Sequence, residues 1–364
     1  MTKNILLVTS RLDIGGVAKS ICLLANSLCE KGHEIHILSF SKDKPKNILN
    51  SHIHVYYLTG PDHINSSKNQ LKRKFLALMF NIRLILFFII HRNYLVVAFR
   101  TDIIKVIVRI SNFIKLDIVG SERGNPCRFG DIEKKEVAKS YNRCKFMVFQ
   151  TEKGPESFKQ LLTTKCKVIP NYCIIDEFEI PQFISRAKDI IACGVPSEDK
   201  GFDILIKAFA FVKEVYPDYK LVIYGPINRY CEKLIDLVDE LNLRNDVLFK
   251  GSTPFFYKDC YDASMYILSS RNEGIPNTLI EAMSVGLPTI ATNCTSGGPS
   301  LLLDNGNYGQ LISVNNIQEL ADAMIYYIEN PSVAELYGKK GKKGLERFSN
   351  EVITNEWIKL IEKL

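Results

Sequence analysis

Ser269-Ser-Arg-Asn-Glu-Gly-Ile-Pro-Asn-Thr-Leu-Ile-Glu-Ala-Met-Ser-Val-Gly-Leu-Pro288 is the most informative segment of the C-terminal half. The strand pattern of Met265–Ser269 ends there, a glycine-containing loop follows, and a helix capped by Asn277 or Thr278 is predicted to end near Gly286. Open α/β sheets bind ligands in loops at the carboxyl ends of their parallel strands. The N–H groups that open this helix therefore predict an anion site suited to a diphosphate.

Two glutamates flank the start of that helix. Glu273 precedes it and Glu281 lies inside it, with seven residues between them. Carboxylates accept hydrogen bonds from sugar or ribose hydroxyls, which is one reading of the pair. The other reading is that both are solvated charges beside a helix dipole, and the residues alone leave the two readings open.

Both halves of the chain repeat this alternation of short β-branched runs and helical patterns, which predicts an α/β fold with parallel sheets. Strands are predicted at 5–9, 34–39, 54–58, 95–99, 117–121, 145–150, 167–169, 190–193, 221–224, 247–250, 265–269, 288–292 and 309–312. Helices are predicted at 16–31, 68–92, 102–114, 131–142, 154–162, 202–215, 228–241, 277–285, 316–329 and 350–364.

The length of 364 residues suits two domains rather than one core. The boundary is predicted between Pro170 and Phe183, where two prolines and a polar, acidic run interrupt the alternation. We expect an N-terminal domain of residues 1–172, onto which the helix 350–364 packs back, and a C-terminal domain of residues 173–349.

Composition indicates a globular enzyme, with 46% hydrophobic and 24% charged residues. Its ten scattered cysteines and short apolar N-terminal run predict reduced thiols in the cytosol. Residues 1–170 hold 28 basic and 13 acidic side chains, whereas residues 171–364 hold 19 and 27. A basic half can meet nucleic acid, an anionic membrane or a phosphate-bearing substrate, and composition does not choose among them.

The stretch from Arg271 to Met283, with Glu273 and Glu281 seven residues apart, resembles the signature of glycosyltransferase family 4. The resemblance implies a retaining enzyme of GT-B type, in which two Rossmann-like domains face an interdomain cleft. It implies that Glu273 is catalytic and holds donor-sugar hydroxyls, while Glu281 binds the nucleotide ribose. It also implies donor-binding positions, through the backbone near the phosphates, at Gly274, Ile275, Pro276, Asn277, Thr278 and Leu279.

A second segment, from Cys193 to Asp203, resembles the family loop in which an arginine and a lysine clamp the diphosphate. Lys200 matches that lysine, so the resemblance implies a catalytic role for it, although a lone lysine after a strand is otherwise a solvated surface residue. Val195 occupies the arginine position, which leaves one cation unless Arg271 or Lys250 substitutes.

The loop Arg11-Leu-Asp-Ile-Gly-Gly-Val-Ala-Lys-Ser20 follows the first strand. Two adjacent glycines can simply form a turn, because they do not make the G-x-G-x-x-G fingerprint of dinucleotide sites. The family has a similar loop near the donor phosphates, so the resemblance makes Gly15 and Gly16 donor-binding candidates.

Glu122-Arg-Gly-Asn-Pro-Cys-Arg128 follows another predicted strand and resembles a subgroup that acts on lipid-linked precursors of surface polysaccharides. Many relatives carry a histidine there, but all six histidines of this chain lie at or before His91. Glu122 and Arg123 are possible acceptor-binding residues, or Glu122 is a loop carboxylate paired with Arg123. In such enzymes the leaving phosphate is thought to accept the proton of the acceptor.

The stretch from Lys68 to Ile90 is a basic, aromatic-rich helical pattern, interrupted by Asn81 and Arg83 and so too polar to span a bilayer. It can pack on the sheet, or it can rest on an anionic bilayer. The second reading assigns membrane contact to Lys68, Lys72, Arg73, Lys74, Phe75 and Met79.

We therefore expect a transferase that moves a hexose or N-acetylhexosamine from a nucleotide sugar, UDP-linked, to a polyprenyl-diphosphate-linked oligosaccharide. The products are O-antigen, capsule or lipopolysaccharide, and the protein is expected in the cytoplasm at the inner face of the membrane. No metal or other cofactor is expected, because the chain has no Asp-x-Asp pair. The alternatives are an NAD-dependent oxidoreductase, a sugar-nucleotide epimerase, or a non-enzymatic nucleic-acid binder, for which no binding motif is found.

Overall fold

The computed structural model describes residues 2–12, 16–45, 48–59, 69–173, 182–253 and 256–364. The chain divides into two compact units, Met1–Tyr172 with Asn350–Leu364, and Cys173–Ser349. Each unit is built on its own parallel sheet, with helices connecting the strands. Gly15 and Lys68, to which the sequence assigns roles, lie outside the described residues.

The first unit contains a seven-stranded sheet. Its strands are β1 (Asn4–Thr9), β2 (Glu34–Ser39), β3 (His54–Tyr57), β4 (Leu95–Phe99), β5 (Asp117–Ser121), β6 (Phe146–Phe149) and β7 (Lys165–Val168). Its first five helices are α1 (Gly16–Glu30), α2 (Gln70–Ile90), α3 (Thr101–Ile110), α4 (Asp131–Tyr141) and α5 (Lys153–Glu156). The strand order β3-β2-β1-β4-β5-β6-β7 puts a topological switch point between β1 and β4.

The second unit contains a six-stranded sheet. Its strands are β8 (Ala187–Cys193), β9 (Lys220–Tyr224), β10 (Val247–Gly251), β11 (Ala263–Leu268), β12 (Thr289–Thr292) and β13 (Gln310–Ile312). Its helices are α6 (Phe202–Val215), α7 (Arg229–Glu240), α8 (Phe256–Asp259), α9 (Asn277–Ser284), α10 (Gly298–Leu302), α11 (Ile317–Glu329) and α12 (Pro331–Gly344). In the order β10-β9-β8-β11-β12-β13, β8 and β11 are neighbours at the switch point.

Helices cover both faces of parallel sheets, which explains why the strands read as continuous apolar runs. β4 and β11, for example, are buried along their whole length. The last helix, α13 (Asn350–Glu362), belongs to the first unit. Its Trp357 is fully buried and its ring centroid lies 6.4 Å from that of Phe99 on β4.

One predicted helix differs from the structure, and one long helix was not predicted. The predicted helix at 154–162 is wrong, because only Lys153–Glu156 is helical and Gln160 has a φ of 71°, which a right-handed helix does not contain. The helix α12 was missed, because Gly338, Gly341 and Gly344 among lysines suggest a loop by propensity. All three glycines are buried, since α12 packs closely against neighbouring backbone and side chains.

Gly338 gives a prediction about stability. A Cβ at this position would collide with the backbone carbonyl oxygen of Gly286, which cannot swing aside as a side chain can. Alanine raises helix propensity by about 1 kcal/mol, but we expect Gly338→Ala to lower the free energy of unfolding by about 1–3 kcal/mol through overpacking. Urea denaturation measures the change.

Gly130→Ala is the control, because a Cβ there has no described atom within 4 Å and its φ is −68°. We expect its free energy of unfolding to change by less than about 1 kcal/mol. A Gly338→Ala protein as stable as the parent would show that the close approach of α12 is not required.

Candidate functional site

The loops that follow β8 and β11 lie at the same edge of the second sheet. β8 and β11 pair in parallel, with Met265 opposite Ile190 and Tyr266 opposite Ile191. The loop after β8 carries Lys200, and the loop after β11 carries Glu273. Neighbouring parallel strands thus bring together two residues that are 73 positions apart in sequence. This edge at the switch point is where open α/β sheets bind ligands.

Lys200 and Glu273 form an ion pair, with 2.5 Å between Lys200 Nζ and Glu273 Oε1. The hydroxyl of Ser270 donates to the same oxygen at 2.8 Å. Both bonds end on Oε1, which leaves Oε2 without a partner in the described part of the chain. The side chains are 24% and 12% exposed, so the pair is shielded but reachable from solvent. A lysine ammonium carries three donors, and Glu273 uses one of them.

Glu281 lies in the same electrostatic neighbourhood. Burial raises the pKa of the nearby Cys193 thiol to about 12; the Glu281 carboxylate adds to the rise and the Lys200 ammonium opposes it. Cys193 is the last residue of β8, so Glu281 and Lys200 both act at the carboxyl end of that strand. The thiol stays protonated at neutral pH and is not a nucleophile there.

The start of α9 differs from the predicted cap. Neither Asn277 nor Thr278 caps the helix: the N-cap residue is Pro276, whose side chain makes no capping hydrogen bond. The hydroxyl of Thr278 instead hydrogen-bonds the buried Tyr266 hydroxyl at 2.7 Å. The N–H of Leu279 donates to the carbonyl of Pro276 at 3.2 Å, and the dipole of α9 places partial positive charge at this end of the helix.

The turn before α9 is fixed by close packing. Ile275 and Leu279 are buried, so only their backbone can face a ligand. Gly298, at the start of α10, lies so close to the carbonyl of Gly274 that a Cβ would collide with it. Ser296 donates to the same carbonyl at 3.4 Å. The loop after β12 therefore holds the turn through backbone contact.

Arg271, one of the two candidates to replace the cation missing at Val195, is bound to another side chain in the structure. Its guanidinium makes two hydrogen bonds to Asp203, Nη1 to Oδ1 at 2.8 Å and Nη2 to Oδ2 at 2.6 Å. Lys250 is on β10, which is separated from β8 by β9. Among the described side chains at this edge, Lys200 is the cation nearest to Glu273.

Asp203 and Ser270 were missed by the sequence interpretation. Asp203 lies in the first turn of α6, three residues after Lys200, and Ser270 lies three residues before Glu273. The opposite charges of Asp203, in the first turn of α6, and Arg271, after β11, were the available sign of this contact. The contact can be predicted only if the strand order is known, because the two residues are 68 positions apart.

In the first unit, Gly16 is the first residue of α1, and its carbonyl accepts a hydrogen bond from Ser20 at 2.9 Å. It lies just after β1, the strand at the switch point of that sheet. Its position is compatible with either predicted reading, a turn or a ligand loop.

Glu122 and Arg123 are buried, at 4% and 9% exposure. The carboxylate of Glu122 accepts hydrogen bonds from Thr101, from Tyr141 at 2.5 Å and from the N–H of Gly124 at 2.7 Å. No ion pair within 4.0 Å joins Glu122 to Arg123 in the described residues, although the charge of Glu122 acts to raise the pKa of Arg123. Glu122 thus binds three groups within the first unit, and its role in acceptor binding stays a prediction.

Arg123 points toward α13 instead. Its Nη1 donates to Asn171 Oδ1 at 3.0 Å, and its guanidinium carbon lies 5.5 Å from the ring centroid of Phe99 and 5.7 Å from that of Trp357. Burial lowers the pKa of Arg123 to about 10. These contacts pack Arg123 against α13 within the first unit, and its role in acceptor binding stays a prediction.

A cavity of about 420 Å³ opens at the carboxyl ends of β1, β2 and β3. It is lined by Ser10, Arg11, Phe40, Ser41, Lys42, Asp43 and Thr59. Arg11 lies 3.8 Å from Asp43, and the Ser41 hydroxyl donates to Asp43 at 2.5 Å. Among the described lining residues, Arg11 and Lys42 are cations and Asp43 is an anion, so their net charge is positive. A positive net charge suits an anionic group. In the described ranges no group of three or more His, Cys, Asp or Glu is arranged to hold a metal ion.

The helix α2 has two apolar faces. Phe80, Leu84 and Phe88 are buried on the inner face. The outer face exposes a stripe of large apolar side chains three or four residues apart: Leu71, Phe75, Leu78, Ile82, Leu86 and Ile89. No helix within the described ranges is both long enough and apolar enough to span a bilayer.

The second unit matches a known family. Residues 175–344 match the family model described as Glycosyl transferases group 1. The uncharacterized glycosyltransferase MJ1059 of Methanocaldococcus jannaschii is 31% identical over 266 residues, which cover 61% of this chain and 64% of that protein. The capsular polysaccharide biosynthesis glycosyltransferase CapM of Staphylococcus aureus is 30% identical over 165 residues, 44% of this chain and 42% of that protein.

The chain thus spans less than two thirds of the length of these curated relatives.

Among solved structures, Anabaena Alr3699/HepE in complex with UDP and glucose superimposes with a TM-score of 0.80 over 100% of both chains, at 19% identity. At that identity the likeness shows the fold, which is of GT-B type, with two parallel-sheet α/β domains.

Proposed function

Because residues 175–344 match the family described as Glycosyl transferases group 1, we propose that this protein is a retaining glycosyltransferase. It moves a hexose or N-acetylhexosamine from a UDP-sugar to a lipid-linked oligosaccharide in the assembly of a surface polysaccharide. The second unit binds the donor, and the first unit binds the acceptor.

The observation that carries this proposal is the contact between Lys200 and Glu273 in front of α9. A diphosphate needs positive charge, which Lys200 and the positive end of the α9 dipole supply. A sugar needs hydrogen-bond acceptors for its hydroxyls, which Glu273 supplies through Oε2. Both requirements are met within one small region at the edge of the sheet.

The transfer step breaks the bond between the anomeric carbon and the diphosphate oxygen and forms a bond from that carbon to the acceptor oxygen. Negative charge grows on the leaving diphosphate, where Lys200 stabilises it electrostatically. The acceptor proton passes to that diphosphate, so no separate protein base is required. Lys200 and the helix start replace the charge that a divalent metal supplies in other transferases, and we propose transfer without a metal.

The nucleotide part of the donor extends toward Glu281, whose carboxylate accepts hydrogen bonds from the ribose hydroxyls. Support for a uridine nucleotide comes from the fold alone, since the similar Anabaena structure contains UDP. Support for a surface polysaccharide comes from the name of the CapM relative. For the acceptor, Arg11 and Lys42 in the cavity of the first unit are suited to a phosphate group.

A donor screen tests the proposal. The protein is incubated with UDP-glucose, UDP-galactose, UDP-N-acetylglucosamine or GDP-mannose, a defined polyprenyl-diphosphate oligosaccharide, and either EDTA or MgCl₂. We expect one UDP-sugar to extend the acceptor by one residue, detected by mass spectrometry, at the same rate in both conditions. Loss of turnover in EDTA would refute the metal-free step, and no extension from any donor would refute the function.

We also propose that α2 rests on the anionic inner surface of the membrane, where a lipid-linked acceptor is found. The outer stripe of α2 is apolar, and Lys72, Arg73, Lys74 and Arg83 accompany it on a helix that has no acidic residue. A second copy of this helix would be repelled by like charges, whereas anionic lipids are attracted. Phe75 is exposed and Met79 is half-buried, so Phe75 is the stronger of the two predicted contacts.

Reversing three charges of α2 tests this surface. We expect the variant Lys72→Glu, Arg73→Glu, Lys74→Glu to bind phosphatidylglycerol vesicles at least about 100-fold more weakly, because each basic residue that is lost contributes about 1 kcal/mol near an anionic bilayer and each glutamate adds repulsion. Co-sedimentation with vesicles of defined composition measures the partition.

The matched control changes Lys134, Lys135 and Lys139 of α4 to glutamate, which alters the net charge of the same unit equally. We expect this control to bind vesicles far better than the α2 variant. Equal losses in the two variants would mean that overall charge, and not α2, drives the binding.

A further inference from the structure

The loops that carry Lys200 and Glu273 are joined by one arginine. Arg271 lies two residues before Glu273, and its side chain reaches the other loop, where it bonds both oxygens of Asp203 and the carbonyl of Glu198 at 2.6 Å. Its backbone N–H donates to the carbonyl of Asp199 at 2.7 Å. These bonds attach the loop after β11 to positions on both sides of Lys200.

Further contacts hold Lys200 itself. The hydroxyl of Ser269 donates to the Lys200 carbonyl at 2.9 Å. Gly201 has a φ of 62°, and a Cβ there would collide with the carbonyl of Ser269. The backbones of the two loops therefore touch beside Lys200, and only glycine fits at position 201.

The positive charge of Arg271 is balanced by the carboxylate of Asp203. Burial acts to raise the pKa of Asp203, yet the hydrogen bonds from Arg271 hold it below its usual value. The hydrogen bond to Asp203 in turn raises the pKa of Arg271. The pair is therefore charged at neutral pH, and its two parallel bonds fix direction as well as distance.

We propose that Arg271 is a positioning residue which, through Asp203, holds Lys200 at hydrogen-bonding distance from Glu273, and that it does not bind the donor diphosphate. This inference rests on the proposed function, because Lys200 matters only if it meets the donor. A displacement of about 1 Å in a catalytic group can cost about 100-fold in rate, so the attachment has a measurable consequence.

The two roles of Arg271 predict opposite effects of Asp203→Asn. A diphosphate-binding Arg271 would be released by this change, and UDP would bind more tightly. A positioning Arg271 loses its anchor, so Asp203→Asn should resemble Arg271→Ala. We expect both variants to lower kcat/KM about 10- to 100-fold and to weaken UDP binding, measured by calorimetry, with uridine binding unchanged.

Combination with Lys200→Ala separates the roles further. If Arg271 acts through Lys200, Arg271→Ala added to Lys200→Ala should change UDP binding by less than about twofold, since residues that act as a unit are non-additive. Full additivity, or tighter UDP binding by Asp203→Asn, would overturn the inference. Arg271→Lys keeps the positive charge but cannot make both parallel hydrogen bonds to Asp203. Its kcat/KM and its affinity for UDP should lie between those of the parent and of Arg271→Ala.

The control is the exposed pair of Lys188 and Asp218, 2.9 Å apart on the same unit. Lys188→Ala should leave kcat/KM and UDP binding unchanged. If Arg271→Ala does not fold, the UDP affinities of Arg271→Lys and Asp203→Asn distinguish the positioning role from diphosphate binding. A Lys200→Ala protein with normal turnover would refute the proposed function itself, which is a result distinct from any outcome at Arg271.

Discussion

Glu273→Ala should lower kcat at least about 100-fold while the protein stays folded. The Glu273 carboxylate receives Lys200 and Ser270 on Oε1, and we propose that Oε2 receives the donor sugar. Alanine removes the acceptor for the sugar hydroxyls and the counterion that holds Lys200, and loss of one electrostatic contact in an active site costs about 10²–10³ in rate. Product mass spectrometry with a saturating UDP-sugar measures kcat.

The side chain lies in a loop outside the hydrophobic core, so thermal unfolding of the variant should match that of the parent. Glu273→Gln is the matched variant, because it keeps the shape and removes the charge. We expect it to retain more activity than alanine. Turnover near the parent level in Glu273→Ala would exclude the residue from the reaction.

Lys200→Ala should lower kcat about 10²–10³-fold and weaken the binding of UDP. Lys200 is the cation that we assign to the leaving diphosphate, and Val195 supplies no second one. Without Lys200, the Glu273 carboxylate also faces the diphosphate without its neighbouring positive charge. Calorimetry with UDP and with uridine should show a loss that is confined to the phosphorylated ligand.

Lys207→Ala is the control, since Lys207 is an exposed lysine on α6 of the same unit. Its kcat and its affinity for UDP should equal those of the parent. If Lys200→Ala bound UDP and uridine with the affinities of the parent, the diphosphate would have to be bound elsewhere.

The fold class could be predicted because its signals are local. Apolar runs and helical spacing identify β4 and α6 almost to the residue, and the prediction of parallel-sheet α/β units of GT-B type is confirmed. The family match confirms the predicted resemblance to glycosyltransferases over residues 175–344, while assignment to family 4 stays a prediction. The helix α12 escaped detection because Gly338 is chosen for close packing, which propensity does not record.

The candidate site could be predicted only in part. The positions of Glu273 and Lys200 follow from their motifs, but their contact depends on the adjacency of β8 and β11. The same long-range pairing ties Arg271 to Asp203, and local sequence shows Arg271 only as a nearby charge. Glu122 shows a further limit of local sequence, because nothing near it in the chain indicates that it is buried and hydrogen-bonded to Tyr141.

A crystal structure of the protein with UDP bound tests the central proposal most directly. We expect the diphosphate to lie within hydrogen-bonding distance of Lys200 Nζ and of the first N–H groups of α9, with the ribose at Glu281 and Arg271 still on Asp203. UDP bound at another edge of the sheet, with Lys200 still on Glu273 and nothing at the start of α9, would contradict it.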